Sequence, residues 1–348
     1  MKNSDSSHLS TSTISTKRKV LAKVASIFDP LGLTSPSVII FKTYLQKLWQ
    51  NSLQWDEQLS PQLQGEWDKL CNTIPKLSEI CINRKVVGSP TTNLQLHGIC
   101  DSSERAYGAC IYVRSTDLKQ AVFCNLLCSS SRVAPLKKQT IPRLELCAAV
   151  LLAKLYKRVT AALNIPISAT YLWTDSTIVL SWIQSSSNKW KMFVAHRIAF
   201  IQEETSSATW RHVPSSDNPA DLVSRGIEPT ILSSSTLWWN GPNWIIKETS
   251  AWPDIQLNPP TEGVELKRVY IARSNTTDYP ILRFSNFNQL LRVTAHSKRF
   301  IHNCRQQPVH CLTTPLTTHE LQEVLTGCIK LVQGITYSKE LRDLSEQQ

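Results

Sequence analysis

The sequence predicts an α/β fold: a mixed five-stranded sheet with helices on both faces, a small helical segment before it and an irregular, partly helical tail after it. Three observations carry this. The apolar runs Leu94–Asp101, Ala106–Val113 and Ala121–Cys128 follow one another through polar turns, which reads as an antiparallel meander. Two later strand patterns, Ala169–Thr174 and Ala208–His212, are separated by helical patterns, which reads as parallel additions to the same sheet. The hydrophobic period switches from helical to alternating near residue 91 and marks a domain start there.

Residues 1–16 are Ser/Thr-rich and polar, and predict a disordered tail. Residues 17–90 read as helical. Ile39, Ile40, Tyr44, Leu45 and Leu48 follow a period near 3.6 after the turn Asp29-Pro-Leu-Gly32, and Ser60 caps a helix over Pro61–Cys71. Residues 91–228 hold the sheet and its helices: Pro142–Leu163, Ser176–Gln184, Phe193–Glu204 and a short one after Pro219. Residues 229–348 read as a Trp-rich linker followed by an extended stretch over 254–282. Two helices then come, Phe287–Arg299 and Thr317–Gln333.

Within this frame four acids stand out. Asp101 and Asp175 each end a strand pattern, Glu145 falls in the first turn of the helix opened by Pro142, and Asp221 opens the short last helix. Taken singly, each reads equally as a surface charge or a cap. Together they would meet at one end of the sheet, where clustered carboxylates repel unless cations neutralise them. Oxygen-only ligands suit magnesium, and a pair of such ions performs phosphoryl transfer. The pattern therefore implies a metal-dependent nuclease with two Mg2+ ions, Mn2+ being an alternative. His212, at a strand end, is a candidate to shuttle a proton to the leaving group. Lys137, Lys138 and Arg143 before the Glu145 helix, and Lys189-Trp190-Lys191 before the next, are candidates to hold phosphates and stack on a nucleic acid.

The bulk numbers agree with a polyanionic partner. The 348 residues carry a net charge of +11. The excess is spread: residues 1–90 hold 11 Lys/Arg against 7 Asp/Glu, and residues 94–228 hold 15 against 10. Ten scattered cysteines without a secretory signal read as reduced thiols in an intracellular protein, cytoplasmic or nuclear. Cys124 and Cys128 have a ligand-like spacing but no second pair. No apolar run is long enough to span a bilayer.

Several segments together resemble the Pol polyprotein of Bel/Pao-type LTR retrotransposons: Thr140-Ile-Pro-Arg-Leu-Glu-Leu-Cys-Ala-Ala149, Trp173-Thr-Asp-Ser176, and Trp210-Arg-His-Val-Pro-Ser-Ser-Asp-Asn-Pro-Ala-Asp-Leu-Val-Ser-Arg-Gly226. Val24-Ala-Ser-Ile-Phe-Asp-Pro-Leu-Gly-Leu33 and Leu237-Trp-Trp-Asn-Gly-Pro-Asn-Trp244 extend the likeness to about residues 17–257. The resemblance implies a ribonuclease-H-like domain over 91–228, with Asp101, Glu145, Asp175 and Asp221 as its metal-binding acids and the RNA strand of an RNA–DNA hybrid as substrate. It implies that 17–90 match the thumb or connection of the reverse transcriptase, and that 229–348 match the tether towards integrase. Other Pol domains would be partners, inside the cell or in a retroelement particle. The Tyr-x-Asp-Asp motif of a polymerase is absent, and His302, Cys304, His310 and Cys311 do not form a convincing zinc site. The chain therefore reads as a fragment of a larger element. A non-catalytic nucleic-acid-binding remnant is the alternative. This region of the family also carries an aspartic-peptidase label, but neither Asp-Thr-Gly nor Asp-Ser-Gly occurs, so that chemistry lacks its motif.

Overall fold

The computed structural model describes residues 15–82, 85–87, 91–255, 265–267, 284–305 and 314–337. The chain divides into two compact units, Met1–Arg268 and Val269–Gln348. Of the predicted disordered tail, residues 1–14 lie outside the described residues. Thr16 is ordered, and its hydroxyl caps α1 by accepting from Lys19 N.

The first unit opens with α1 (Lys17–Ala25), α2 (Ser35–Gln50), α3 (Pro61–Cys71) and α4 (Ile74–Ser78). The Ser60 hydroxyl caps α3 as its position predicts. Val20, Phe41, Tyr44, Leu48, Leu63 and Trp67 close a small core among these helices. The Asp29-Pro-Leu-Gly32 turn fixes them to the sheet. The Asp29 carboxylate accepts from Leu33 N and Thr34 N, and Ser129 N donates to the Leu31 carbonyl at 2.8 Å. Gly32 has φ +72°, and a Cβ there would lie 2.1 Å from the Ser129 carbonyl oxygen, so glycine is required on both counts.

The sheet comprises β1 (Thr91–Ser102), β2 (Ala106–Asp117), β3 (Val122–Val133), β4 (Ala169–Thr174) and β5 (Thr209–His212) in the order β3-β2-β1-β4-β5. β1, β2 and β3 are antiparallel; β4 and β5 join in parallel. This is the predicted mixed sheet, with the strand order of a ribonuclease-H-like fold. The meander strands outrun their apolar patterns because backbone pairing continues through polar stretches such as Arg114–Thr116 and Ser129–Arg132.

Strand alternation feeds two cores. On one face Leu96, Cys100, Ile111 and Val113 pack against α5 (Ile141–Ala162), α6 (Thr177–Gln184) and α7 (Met192–Glu204). On the other, Ile99, Cys110, Tyr112 and Trp173 meet Val223 of α8 (Ala220–Arg225), Leu232 of α9 (Pro229–Ser234) and Trp238 of α10 (Thr236–Asn240). Trp244 and Trp252 belong to this second core. The segment read as a Trp-rich linker thus packs on the sheet as far as Trp252. Tyr112 donates to the Trp238 carbonyl at 2.8 Å, and the Trp238 indole to the Leu33 carbonyl at 2.9 Å. Cys124 and Cys128 are buried, with thiols pushed up to about 12 by desolvation, which suits core residues.

In the second unit α11 (Phe287–Arg305) pairs with α12 (Thr318–Thr336). Thr317 and Glu320 form a capping box on α12, and Arg299 Nε donates to Glu320 at 2.8 Å. His302 and Cys304 lie on α11; His310 and Cys311, and most of 254–282, lie outside the described residues. No described helix is long and apolar enough to cross a membrane.

Candidate active site

Backbone pairing sets the first two acids. Cys100 registers with Thr174 across the parallel β1–β4 pair. Asp101 and Asp175 therefore take the next positions at the ends of neighbouring strands, which lie about 4.8 Å apart. Glu145 is the fifth residue of α5, in its second turn rather than the predicted first, because the helix already starts at Ile141. It reaches β4's end: the Ser176 hydroxyl, which caps α6, donates to Glu145 Oε2 at 2.6 Å. Asp221 is the second residue of α8. One turn on, the Ser224 hydroxyl donates to the Asp101 carboxylate. α8 comes this close because Gly108, opposite Asp101 in the β1–β2 ladder, has no side chain; a Cβ there would lie 2.3 Å from Val223 Cγ1.

Asp175 links the acids electrostatically: its charge acts on both Asp101 and Glu145, and that of Asp221 acts on Asp101. Asp101, 6% exposed, has its carboxyl raised from 3.8 to about 7. Burial is the main cause, and the charges of Asp175 and Asp221 add to it against the Ser224 bond. Glu145 is also raised, by burial first, with the Ser176 bond opposing and the Asp175 charge adding. The Cys100 thiol beneath is pushed well up by burial and by Asp175 and Asp101. Asp221 is ion-paired to Arg225, whose guanidinium also feels Asp101 and Asp175.

Among the described residues no group of three or more His, Cys, Asp or Glu is gathered tightly enough to hold a metal ion. Each carboxylate instead accepts from a donor: Ser224 on Asp101, Ser176 on Glu145, Ser215 on Asp175 at 2.9 Å, and Arg225 on Asp221. The donor chemistry nonetheless suits a hard divalent cation, since the mutually charged groups are all carboxylates. A second observation points the same way. The described buried side-chain atoms that lack a hydrogen-bond partner are Ser102 Oγ, His212 Nδ1 and Gln139 Oε1. Ser102 follows Asp101, and His212 registers with Thr174, which precedes Asp175. Unpaired polar atoms are costly when buried, and two of the three flank the acids.

The candidate binding residues divide. Lys137, Lys138 and Lys189 are exposed. Trp190 is corrected: it is 2% exposed, packs on Trp182 and donates to Ser185 Oγ at 2.7 Å, so its face is closed to a base. Arg143 is engaged within the chain, both arms of its guanidinium bonding Glu265 at 2.7 and 3.2 Å. Glu265 also accepts from Lys191 N through its carbonyl, so residues 265–267 brace both basic segments. Asp217 accepts from the Trp244 indole at 3.2 Å. Sequence reasoning missed Ser176, Ser215, Ser224 and Arg225 as partners of the acids. The signal lay in the spacing: Ser176 follows Asp175, and Ser224 and Arg225 are three and four residues after Asp221 on a helix.

Residues 16–176 match the family described as the Pao retrotransposon-like RNaseH-like domain; the description names no peptidase. The match takes in α1 to β4 with Asp101, Glu145 and Asp175, and ends before Asp221. No curated protein matches. Among solved structures, ribonuclease H1 from the halophilic archaeon Halobacterium salinarum NRC-1 is 11% identical, over 37% of this chain and 91% of that one, with a TM-score of 0.25. LC11-RNase H1 in complex with an RNA/DNA hybrid is 18% identical, over 38% and 93%, with a TM-score of 0.27. The foamy viral protease-reverse transcriptase in complex with an RNA/DNA hybrid is 12% identical, over 44% of this chain and 22% of that one, with a TM-score of 0.23. At these TM-scores the likenesses carry no weight of their own, and the fold rests on the strand order. Over residues 16–176, a little under half of its length, the chain is similar to the Pao retrotransposon-like RNaseH-like domain family.

Proposed function

We propose that the protein is a ribonuclease H that hydrolyses the RNA strand of RNA–DNA hybrids with two divalent metal ions, Mg2+ or Mn2+. The observation that carries this reading is the placement of Asp101 and Asp175 at neighbouring strand ends, with the Asp175 charge acting on both Asp101 and Glu145 and the Asp221 charge on Asp101. Such a cluster is stabilised when cations replace the missing counter-charge. Asp101, Glu145, Asp175 and Asp221 would hold the ions. When bound, they supply an activated water on one side of the scissile phosphate and neutralise the leaving 3′ oxygen on the other. The protein's own groups prepare that arrangement. Ser224 and Ser176 orient the oxygens of Asp101 and Glu145, and His212, in register with Thr174 beside the Asp175 strand end, would pass a proton to the leaving group. Lys137, Lys138 and Lys189 offer phosphate contacts that position a strand without reading bases. In this reading residues 17–90 are the end of a reverse transcriptase, residues 229–348 lead towards integrase, and other Pol domains are intracellular partners.

A second reading, a nucleic-acid-binding protein without catalysis, is favoured by the Arg225–Asp221 ion pair and by carboxylates already engaged by donors. One experiment separates them. Purified protein is incubated with a labelled hybrid in magnesium and in chelator, with double-stranded DNA as control. Magnesium-dependent cutting of the RNA strand alone is expected. Binding of the hybrid with no product in magnesium would leave the second reading.

A further inference from the structure

Two adjoining cavities run between α2 and the sheet. The first, of about 820 Å3, opens beside Ser224 and Arg225 and is walled by α2, α3 and the loop before α5. The second, of about 640 Å3, continues along β3 to Tyr107 and Trp49. Gln46 and Leu136 line both, so they form one groove, which opens beside Ser224 and Arg225, the partners of Asp101 and Asp221. Its walls are tied together: Gln46 Nε2 donates to the Ala134 carbonyl at 2.5 Å, and Lys42 Nζ to Ser131 Oγ at 3.1 Å.

The groove is cationic along its length. In the first cavity Lys47 is neutralised by Glu66 at 2.6 Å, which leaves Lys69, Arg105 and Lys138 against Glu104. In the second, Lys42 and Arg132 stand together with no acid on the lining. Lys42 is half-buried, and its ammonium is held below its ordinary range by desolvation, opposed by the Asp29 charge and reinforced to a smaller extent by Arg132. Two like charges in a half-enclosed site are relieved by an anion. A compact anion would need one such cluster. Clusters in both cavities, joined end to end and opening beside the partners of Asp101 and Asp221, fit a linear polyanion.

We propose that this groove is a phosphodiester track that holds one strand of a nucleic acid past the carboxylate cluster. The proposal rests on the reading that the site acts on nucleic acid. It assigns a binding role to the N-terminal helices, which supply Lys42 and Lys69.

Fluorescence anisotropy on the full chain tests it. The probe is an RNA–DNA hybrid with a short single-stranded extension, in calcium in place of magnesium. Lys69→Glu and Arg132→Glu each reverse a charge in one cavity. Lys119→Glu reverses one in the β2–β3 turn, at the other end of the sheet. Each groove variant is expected to bind about tenfold more weakly, with the slope of log affinity against log salt reduced by about one. Lys119→Glu should stay within about twofold of wild type. Thermal melts confirm folding, and Lys69→Gln and Arg132→Gln replace any reversal that unfolds. Groove variants that match Lys119→Glu overturn the proposal, as does wild type that binds no hybrid. If wild type cuts the hybrid while the variants bind normally, the groove fails and the ribonuclease reading stands. If wild type binds without cutting and the variants bind weakly, the reverse holds.

Discussion

The strand-borne acids and the helix-borne acids are held by different means. Asp101 and Asp175 meet because β1 and β4 are paired, with Cys100 opposite Thr174. Their approach is written into backbone hydrogen bonds and depends little on what surrounds them. Glu145 and Asp221 meet them only because whole helices are seated correctly. α5 needs the first core, and α8 needs the gap at Gly108. α8 is also buttressed by α2: Ile227 N donates to the Pro36 carbonyl at 3.0 Å, and Ser37 Oγ to the Ile227 carbonyl at 2.9 Å. A residue near position 36 thus helps to place an acid at 221. Backbone-placed groups should be robust to packing changes and intolerant of chemical change; helix-placed groups should be sensitive to both.

The largest effect sharpens this contrast. Asp101→Asn and Asp175→Asn are each expected to lower magnesium-dependent cleavage of a hybrid by on the order of 10³-fold or more. Asp221→Asn should cost roughly tenfold to a hundredfold, because Asp221 is half-exposed and already shares its charge with Arg225. The check is single-turnover cleavage of a labelled hybrid. Equal losses at all three positions would erase the distinction between the two kinds of acid.

The contrast also explains what could be read in the sequence. The ends of β1 and β4 were legible because apolar runs stop at a charged residue, and Asp101 and Asp175 follow directly. The antiparallel meander and the parallel additions to it followed from three consecutive strands and two separated ones. The second core was not legible. Trp238, Trp244 and Trp252 lie in a stretch punctuated by Gly and Pro, with no regular period to signal that it covers a sheet face. Nor was Arg143's partner, since Glu265 lies 122 residues away. Trp190 looked like a stacking residue between two lysines, yet the turn that carries it points its ring into the core.

The next effect breaks the helix-borne half alone. Gly108→Ala places a Cβ within 2.3 Å of Val223 Cγ1, so α8 must move away from Asp101. Overpacking of this kind costs about 1–3 kcal/mol. Cleavage should fall with stability, because Ser224 and Asp221 retreat with the helix. Adding Val223→Ala removes the colliding methyls, so the double variant should be more stable and more active than the sum of the singles predicts. Simple additivity in denaturant melts would mean that α8 is not seated through this contact.

A pH experiment separates Asp101 from the more exposed acids. Its carboxyl is raised from 3.8 to about 7 in the folded protein, so the native state holds a proton that the unfolded state has lost. The associated stability is fully present below about pH 4 and is lost as pH rises through about 7, amounting to roughly 4 kcal/mol at most. Glu145 is shifted in the same direction. Metal-free protein should therefore melt lower at pH 8 than at pH 5, and Asp101→Asn should flatten that fall. Saturating magnesium should flatten it too, by stabilising the ionised form. A metal-free melting temperature that rises between pH 5 and 8 in wild type, by the same amount as in Asp101→Asn, would rule out this account.

The smallest effect concerns Arg225. Its pair with Asp221 is an i,i+4 contact on a six-residue helix, and the arginine side chain is 71% exposed. Pairs of that kind contribute about 0.3–0.5 kcal/mol, and salt screens them. Arg225→Ala should thus leave the metal-free melting temperature within about two degrees of wild type. Its influence on cations should be larger. Arg225 feels Asp101 and Asp175 as well as Asp221, so it acts as a built-in counter-charge to the cluster. Removing it leaves Asp221 free and the cluster more negative, and both favour a divalent ion. Calorimetric titration with magnesium should show affinity raised a few-fold, with a larger relative gain at low ionic strength, where screening is weak. A drop of several degrees in the melt, with magnesium affinity unchanged, would make Arg225 a structural brace for α8. The helix-borne acid would then be fixed by its own ion pair rather than by the packing of Gly108 and α2.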